Sequence, residues 1–158
     1  MSKITQMSQK GILLIEHFEC SGDVTKFLKA YKCPAGVMTI GIGTTVYPNG
    51  NKVQEGDVCT ADQAYQYLQH DLQGTIKQVD SYTTDSINQN QFDALVSFAY
   101  NVGTGALKTS TLLKKVNANP NDPSIADEFK KWTHGGGKVL PGLVARRQAE
   151  ADLYFGKS

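Results

Sequence analysis

Apolar side chains at Ile12, Leu14, Ile15 and Phe18 fall on one side of a wheel advancing roughly 100° per residue, which predicts a helix over 8–19. On that wheel Glu19 projects between Ile12 and Ile15 while Glu16 and His17 point further out. Glu19 is therefore the carboxyl expected against apolar neighbours at the helix end. From Tyr31 to Val58 the pattern changes to β-branched residues punctuated by glycine, the mark of a small sheet. Within it Pro48-Asn49-Gly50-Asn51 reads as a hairpin turn, because Asn-Gly readily accepts positive φ. Thr60-Ala-Asp-Gln63 is a capping box that starts a helix running to about Val79, and 81–85 is a short polar connection.

The remainder reads as helical. Asn88 or Asn90 can cap a helix ending near Asn101-Val-Gly103, Asp122-Pro123 begins another with proline at its tolerated first position, and Pro141 opens the last. Trp132, with Ile125 and Phe129 behind it at helical spacing, is expected in the core. With 158 residues and no repeat or low-complexity linker, the expectation is one domain, 1–158, of α+β class. A chain of that size buries about two-thirds of its unfolded surface without metal or disulfide staples.

Charge and cysteine content narrow the function classes. A net charge of +1 gives little electrostatic reason for binding nucleic acid, and Lys114-Lys115 and Lys130-Lys131 read as solvated surface. The apolar run Ile12-Leu-Leu-Ile15 is far too short for a membrane span or secretory core, so a chain made in the cytoplasm without stable membrane insertion is expected. Three cysteines without metal-type spacing predict neither a zinc site nor a disulfide framework, although a Cys20–Cys33 bridge can form in an oxidising setting. Gly36, Gly41 and Gly43 lack the lysine of a phosphate-binding loop, so no metal and no cofactor is expected.

The chemistry concentrates in Ala30-Tyr-Lys-Cys-Pro-Ala-Gly-Val-Met-Thr-Ile-Gly-Ile-Gly-Thr-Thr45, which follows Phe18-Glu19 and sets Cys33 and Thr39 on either side of five residues. That order resembles the active-site segment of phage-type lysozymes, glycoside hydrolase family 24: a helix-terminal glutamate, then aspartate or cysteine, five residues, and threonine. Gln91-Phe-Asp-Ala-Leu-Val-Ser-Phe-Ala-Tyr-Asn-Val-Gly103 is similar to the family's cleft-lining helix, and Leu143-Val-Ala-Arg-Arg-Gln-Ala-Glu150 to its carboxy-terminal segment. The resemblance runs from about Gly11 to Tyr154 and implies a lysozyme-like fold, with a small-sheet lobe and a helical lobe joined by a long helix across a cleft.

What the resemblance implies is an endolysin that hydrolyses the β-1,4 bond between N-acetylmuramic acid and N-acetylglucosamine in peptidoglycan and lyses the host cell. Glu19 then takes the general-acid role, for which apolar surroundings would disfavour its charged form and raise its pKa. Cys33 is the second catalytic group, as base toward water or as nucleophile, and Thr39 holds the water; inversion is the expected outcome. Asn101 becomes a saccharide ligand. Arg147, an odd charge near Leu143 and Tyr154 on its wheel, is a candidate electrostatic partner for Glu19 or another buried carboxylate, with an intrahelical Arg146–Glu150 pair as the alternative. A monomer held in the host cytoplasm until a separate pore-forming protein admits it to the wall completes the expectation.

Two departures stand out. The family has eight residues between glutamate and the aspartate or cysteine, whereas thirteen lie between Glu19 and Cys33, and this makes Asp23 a backup carboxylate. The family's histidine after the Ile-Gly-Ile-Gly run is replaced by Thr44. They motivate a rival reading, a catalytically silent peptidoglycan-binding module. An amidase or peptidase of the same wall is a further rival, and a cysteine hydrolase would need Cys33 paired with His17, His70 or His134.

Overall fold

The computed structural model describes residues 6–20, 24–33, 36–84, 87–135 and 137–157. The chain divides into two compact units, 15–74 and a second formed by 1–14 with 75–158. Elements in chain order are α1 (Gln9–Cys20), β1 (Tyr31–Lys32), β2 (Met38–Thr39), α2 (Ala61–Tyr82), α3 (Gln89–Val102), α4 (Thr104–Thr109), α5 (Thr111–Ala118), α6 (Ile125–Lys130), β3 (His134–Gly135), β4 (Lys138–Val139) and α7 (Pro141–Tyr154). This is the expected α+β composition.

In unit 15–74, β1 and β2 pair antiparallel with Tyr31 opposite Thr39 and Lys32 opposite Met38. Beyond them the sheet dissolves into single bridges, Ile40–Thr44, Val46–Lys52 and Lys29–Val58. The predicted turn closes at Tyr47–Asn51, where Gly50 adopts φ +90° and its N–H donates to the Tyr47 carbonyl at 2.9 Å. The capping box also forms: Gln63 N–H donates to the Thr60 hydroxyl oxygen at 3.1 Å, and the Gln63 side chain accepts from Thr60 N–H at 2.9 Å. Ile15, Ile40, Ile42, Ala64 and Leu68 make a core without solvent exposure.

The helical unit is built around α3, whose residues 91–99 are all buried. Asn88 caps it in a reciprocal box with Gln91. α3 and α6 both pack against α7. Phe98 meets Phe129 edge-on with centroids 5.6 Å apart, Phe129 meets Tyr154 at 5.7 Å, and the Tyr154 hydroxyl donates to the Pro120 carbonyl at 2.6 Å. At the start of α1, Ser8 N–H donates to Asp93 Oδ1 at 3.0 Å, and a Cβ on Gly11 would meet Asp93 Cγ at 2.8 Å. Glycine at 11 leaves the room that the Asp93 side chain occupies.

Several sequence expectations change. The helix expected from Asp122-Pro123 starts at Ile125, because Asp122 Oδ1 accepts from both the N–H and the hydroxyl of Ser124 and holds a turn first. The region after the 81–85 connection is not helical throughout: His134–Gly135 and Lys138–Val139 form a two-stranded hairpin around Gly137, at φ +81°. Trp132 lies past the end of α6 and is half-buried, while Ile125 and Phe129 are fully buried. Lys114, Lys130 and Lys131 are exposed as expected, whereas Lys115 is half-buried; Lys115 and Lys131 both donate to Glu128, a buried carboxylate, at 2.9 Å.

Candidate functional site

In unit 15–74 the Ile-Gly-Ile-Gly run is a tight reversal rather than a strand. Ile40 N–H donates to the Thr44 carbonyl at 2.8 Å and Thr44 N–H returns to the Ile40 carbonyl at 3.0 Å. Gly41 and Gly43 supply the positive φ values, +62° and +79°, that the reversal needs. Ile40 and Ile42 anchor it in the core, and Gly41 presses on α2, where an added Cβ would lie 2.8 Å from that of Ala64.

Glu19 rests on this reversal. A Cβ on Gly43 would stand 3.1 Å from Glu19 Oε2 and 3.6 Å from its Cδ, so the carboxyl occupies the space that a side chain at 43 would claim. Glu19 is half-buried. The carboxyl that the helix buries is instead Glu16, 6% exposed, whose Oε2 accepts from the Tyr65 hydroxyl at 2.7 Å. The wheel misplaced Glu16 because the buried arc of α1 is centred nearer Ile15 than the simple apolar count suggests, and a phenol on α2 meets the acid there.

Cys33 and Thr39 share one acceptor. The Val37 carbonyl takes Cys33 N–H at 3.0 Å and the Thr39 hydroxyl at 3.0 Å. Thr39 faces Tyr31 across the hairpin, and two-residue alternation puts Tyr31 and Cys33 on that same face. Gly36 N–H donates to the Cys33 carbonyl at 2.8 Å. Cys33 is half-buried and carries a thiol outside any disulfide; Thr39 is buried. The Cys20 side chain and the backup carboxylate Asp23 lie outside the described residues.

Thr44, which stands where the family has histidine, is fully buried and its hydroxyl donates to Asp71 Oδ2 at 3.2 Å. Burial pushes the Asp71 carboxyl up from its ordinary value, against the pull of Thr44 and of His70, whose Nδ1 lies 3.9 Å from Asp71 Oδ1. Sequence reasoning missed Asp71. It belongs to no sequence motif and meets Thr44, 27 residues away, only in the fold.

In the helical unit Asn101 and Arg147 meet. Ser97 and Asn101, one turn apart on α3, face Glu150 and Arg147, one turn apart on α7. Ser97 donates to Glu150 Oε2 at 2.5 Å, and Arg147 Nη2 donates to Asn101 Oδ1. Ser97 is fully buried.

Arg147 is fully buried and also donates through Nη1 to Glu150 Oε1 and through Nε to the Trp132 carbonyl at 2.9 Å. Its guanidinium lies over the Phe98 ring, 5.0 Å from the centroid. Burial lowers its pKa while Glu150 raises it. The buried carboxylate expected for Arg147 is therefore present as Glu150, and the alternative Arg146–Glu150 pair forms as well, at 3.2 Å. Asn101 is exposed and, with Trp132, His134, Leu143 and Arg147, lines a hollow of about 400 Å³.

His17 stands edge-on to Phe18 at 4.8 Å and is exposed, as are His70 and His134. Among the described residues no group of three or more His, Cys, Asp or Glu side chains is arranged to hold a metal ion. No helix among them is long and apolar enough to cross a membrane.

A family profile described as phage lysozyme matches residues 26–150, a span that includes Cys33, Thr39, Asn101 and Arg147 and begins past Glu19. An endolysin of Bacillus phage B103 is 45% identical over 149 residues, covering 94% of this chain and 54% of its own length. The chain thus spans about half the length of that relative. The endolysin from Escherichia coli O157:H7 phage FAHEc1 superposes with a TM-score of 0.89 at 36% identity, covering 100% of this chain and 98% of that one. The muramidase domain of SpmX from Asticaccaulis excentricus gives 0.79 at 31% identity, covering 96% and 98%. The lysozyme-like α+β fold expected from the sequence is the fold of these structures.

Proposed function

The chain belongs to the phage lysozyme family, and from that membership we propose that it is a muramidase of the endolysin kind, cutting the β-1,4 bond between N-acetylmuramic acid and N-acetylglucosamine in peptidoglycan. The observation that carries the reading is local. Within one unit, the Glu19 carboxyl is seated on the Gly43 reversal, next to a hairpin on which Cys33 and Thr39 share the Val37 carbonyl.

The chemistry follows from those groups. Glu19 donates its proton to the glycosidic oxygen as the bond to the anomeric carbon breaks. Because the Thr39 hydroxyl hydrogen is committed to Val37, its lone pairs accept from a water and turn that water's own lone pair outward. The water attacks the anomeric carbon from the face opposite the leaving sugar, and Cys33, as thiolate, takes the released proton. The product is the inverted, α, reducing end.

The competing use of Cys33 is direct attack to form a thioglycoside that water then opens, with net retention. Proton NMR of the first-formed anomer from a wall fragment separates the two: the α anomer is expected, and a β anomer overturns the water-attack mechanism. Asn101, held by Arg147, serves as a saccharide ligand in this reading. As a cellular reading, the chain acts as a monomer on the wall, is kept in the host cytoplasm until a separate pore-forming protein gives it passage, and lyses the host. Size-exclusion mass measurement, and fractionation of cells expressing the protein with and without a pore-former, test those parts.

A further inference from the structure

Unit 15–74 carries a trough on the hairpin turn whose lining includes none of Glu19, Cys33 and Thr39 and which the proposed mechanism does not use. One part, about 470 Å³, is lined by Tyr47, Asn49, Asp57, Val58 and Tyr67 among others. A second, about 580 Å³, shares Tyr47, Asn49 and Asp57 and continues along Asn51, Lys52 and Gln54. Each has the size of a small-ligand cleft, about 300–1,000 Å³.

The aromatic wall is fixed before any ligand arrives. Tyr47 and Tyr67 meet edge-on with centroids 5.2 Å apart, and the Tyr47 hydroxyl donates to Asp57 Oδ2 at 2.7 Å. Gln54 N–H donates to the same oxygen at 2.9 Å. These bonds hold the Asp57 carboxyl below its ordinary range, the Gln54 N–H contributing most, and burial followed by the Asp57 bond pushes the Tyr47 phenol up, so near neutral pH a carboxylate faces an un-ionised ring. A wall so fixed loses little conformational freedom on binding.

The occupant follows from the charge balance. Asp57 and Lys52 cancel in the second trough, and in the first Asp57, the one charged lining residue, has its Oδ2 taken by Tyr47 and Gln54, which disfavours a phosphate ligand. Two phenol rings, the Asn49 amide, Asp57 Oδ1 and the Val58 side chain, 72% exposed, offer apolar faces interleaved with neutral donors and acceptors. We propose that this trough is a second glycan-binding site, which takes a neutral, N-acetylated sugar chain by stacking on Tyr47 and Tyr67 and hydrogen bonding to Asn49 and Asp57. It keeps the protein on the wall polymer between cuts. The assignment of the ligand class rests on the muramidase reading.

The test uses the full chain carrying Glu19→Gln, with the hexamer of N-acetylglucosamine as probe and amide NMR shifts as readout. Two separable sets of shifts are expected, one over 33–43 and one over 47–58 with Tyr67. Tyr67→Ala abolishes the second set alone and lowers adsorption to purified wall sacculi by about three- to tenfold, the size of one lost stacking contact. Val58→Asp, a change at an exposed position that leaves the core intact, gives the same selective loss. Shifts confined to 33–43, with adsorption unchanged in both variants, overturn the second site and leave the muramidase reading standing. Shifts over 47–58 in a protein whose Glu19 form cuts no wall glycan overturn the muramidase reading and leave the trough as a sugar site. Shifts on titrating a free stem peptide in place of the sugar overturn the ligand class.

Discussion

In the helical unit a carboxylate, Glu150, is held by side chains: Arg146, Arg147 and Ser97 surround it, and Arg147 in turn holds Asn101. In unit 15–74 the Glu19 carboxyl lies against a backbone reversal that two glycines and a pair of main-chain bonds define. The first arrangement spends charged groups on stability and fixes one amide. The second keeps its acid half-buried against a glycine turn. Mutations in the two units should therefore separate: loss of fold in one, loss of rate in the other.

The largest effect on stability is expected at Glu150→Ala, which removes the buried carboxylate to which Arg146 and Arg147 both donate. About 3–5 kcal/mol of stability should go, lowering Tm by roughly 10 °C. Calorimetry checks this, and a Tm within 2 °C of wild type, on the order of 1 kcal/mol, would show that water replaces the acid and that the network is not what holds α3 to α7.

A loss of roughly 10²–10⁴-fold in wall hydrolysis is expected for Cys33→Ala, the range for removing one general acid or base, with the melting curve little changed. Cys33→Asp should restore much of it. Turnover that survives the alanine would remove Cys33 from the chemistry.

Gly43→Ala should act on both properties. Residue 43 sits at φ +79°, which costs an alanine about 1–2 kcal/mol, and the new methyl would press on Glu19 Oε2 from 3.1 Å. Activity is expected to fall by more than that stability loss explains. A variant that is merely less stable, with full specific activity, would mean that Glu19 does not depend on the reversal.

The smallest effect is in pH dependence. Lys115, and then Lys131, hold the Glu128 carboxyl below its ordinary value. A carboxyl with a lowered folded pKa contributes stability above its unfolded pKa and loses it as pH falls through the folded one. Acid unfolding of Glu128→Gln should therefore begin from a lower stability near neutral pH and slope less steeply below pH 5. Parallel curves for the two proteins would contradict the assignment.

Much of the fold could be read from local chemistry. The capping box at Thr60, the cap offered at Asn88 or Asn90 and the proline opening α7 placed three helices to within a residue or two at their starts, because those signals act on backbone groups close in sequence. What escaped depended on distant partners. Glu16 reads as solvent-facing until Tyr65 is brought to it, and Lys115 until Glu128 is. The β3–β4 hairpin was hidden by its glycines and short strands, which give no alternation to read. At the candidate site the spacing of Cys33 and Thr39 was legible as a resemblance. Their shared Val37 carbonyl and the seat of Glu19 on Gly43 were not, since both come from how the reversal closes.

The measurement that bears most directly on the central claim is reducing-end release from purified peptidoglycan by the wild-type chain and by Glu19→Gln, with mass analysis of the fragments. Wild-type protein should release fragments ending in reducing N-acetylmuramic acid, and the variant, folded with an unchanged melting curve, should release none. Cutting by both proteins alike, or no cutting by a correctly folded wild type, would contradict the account.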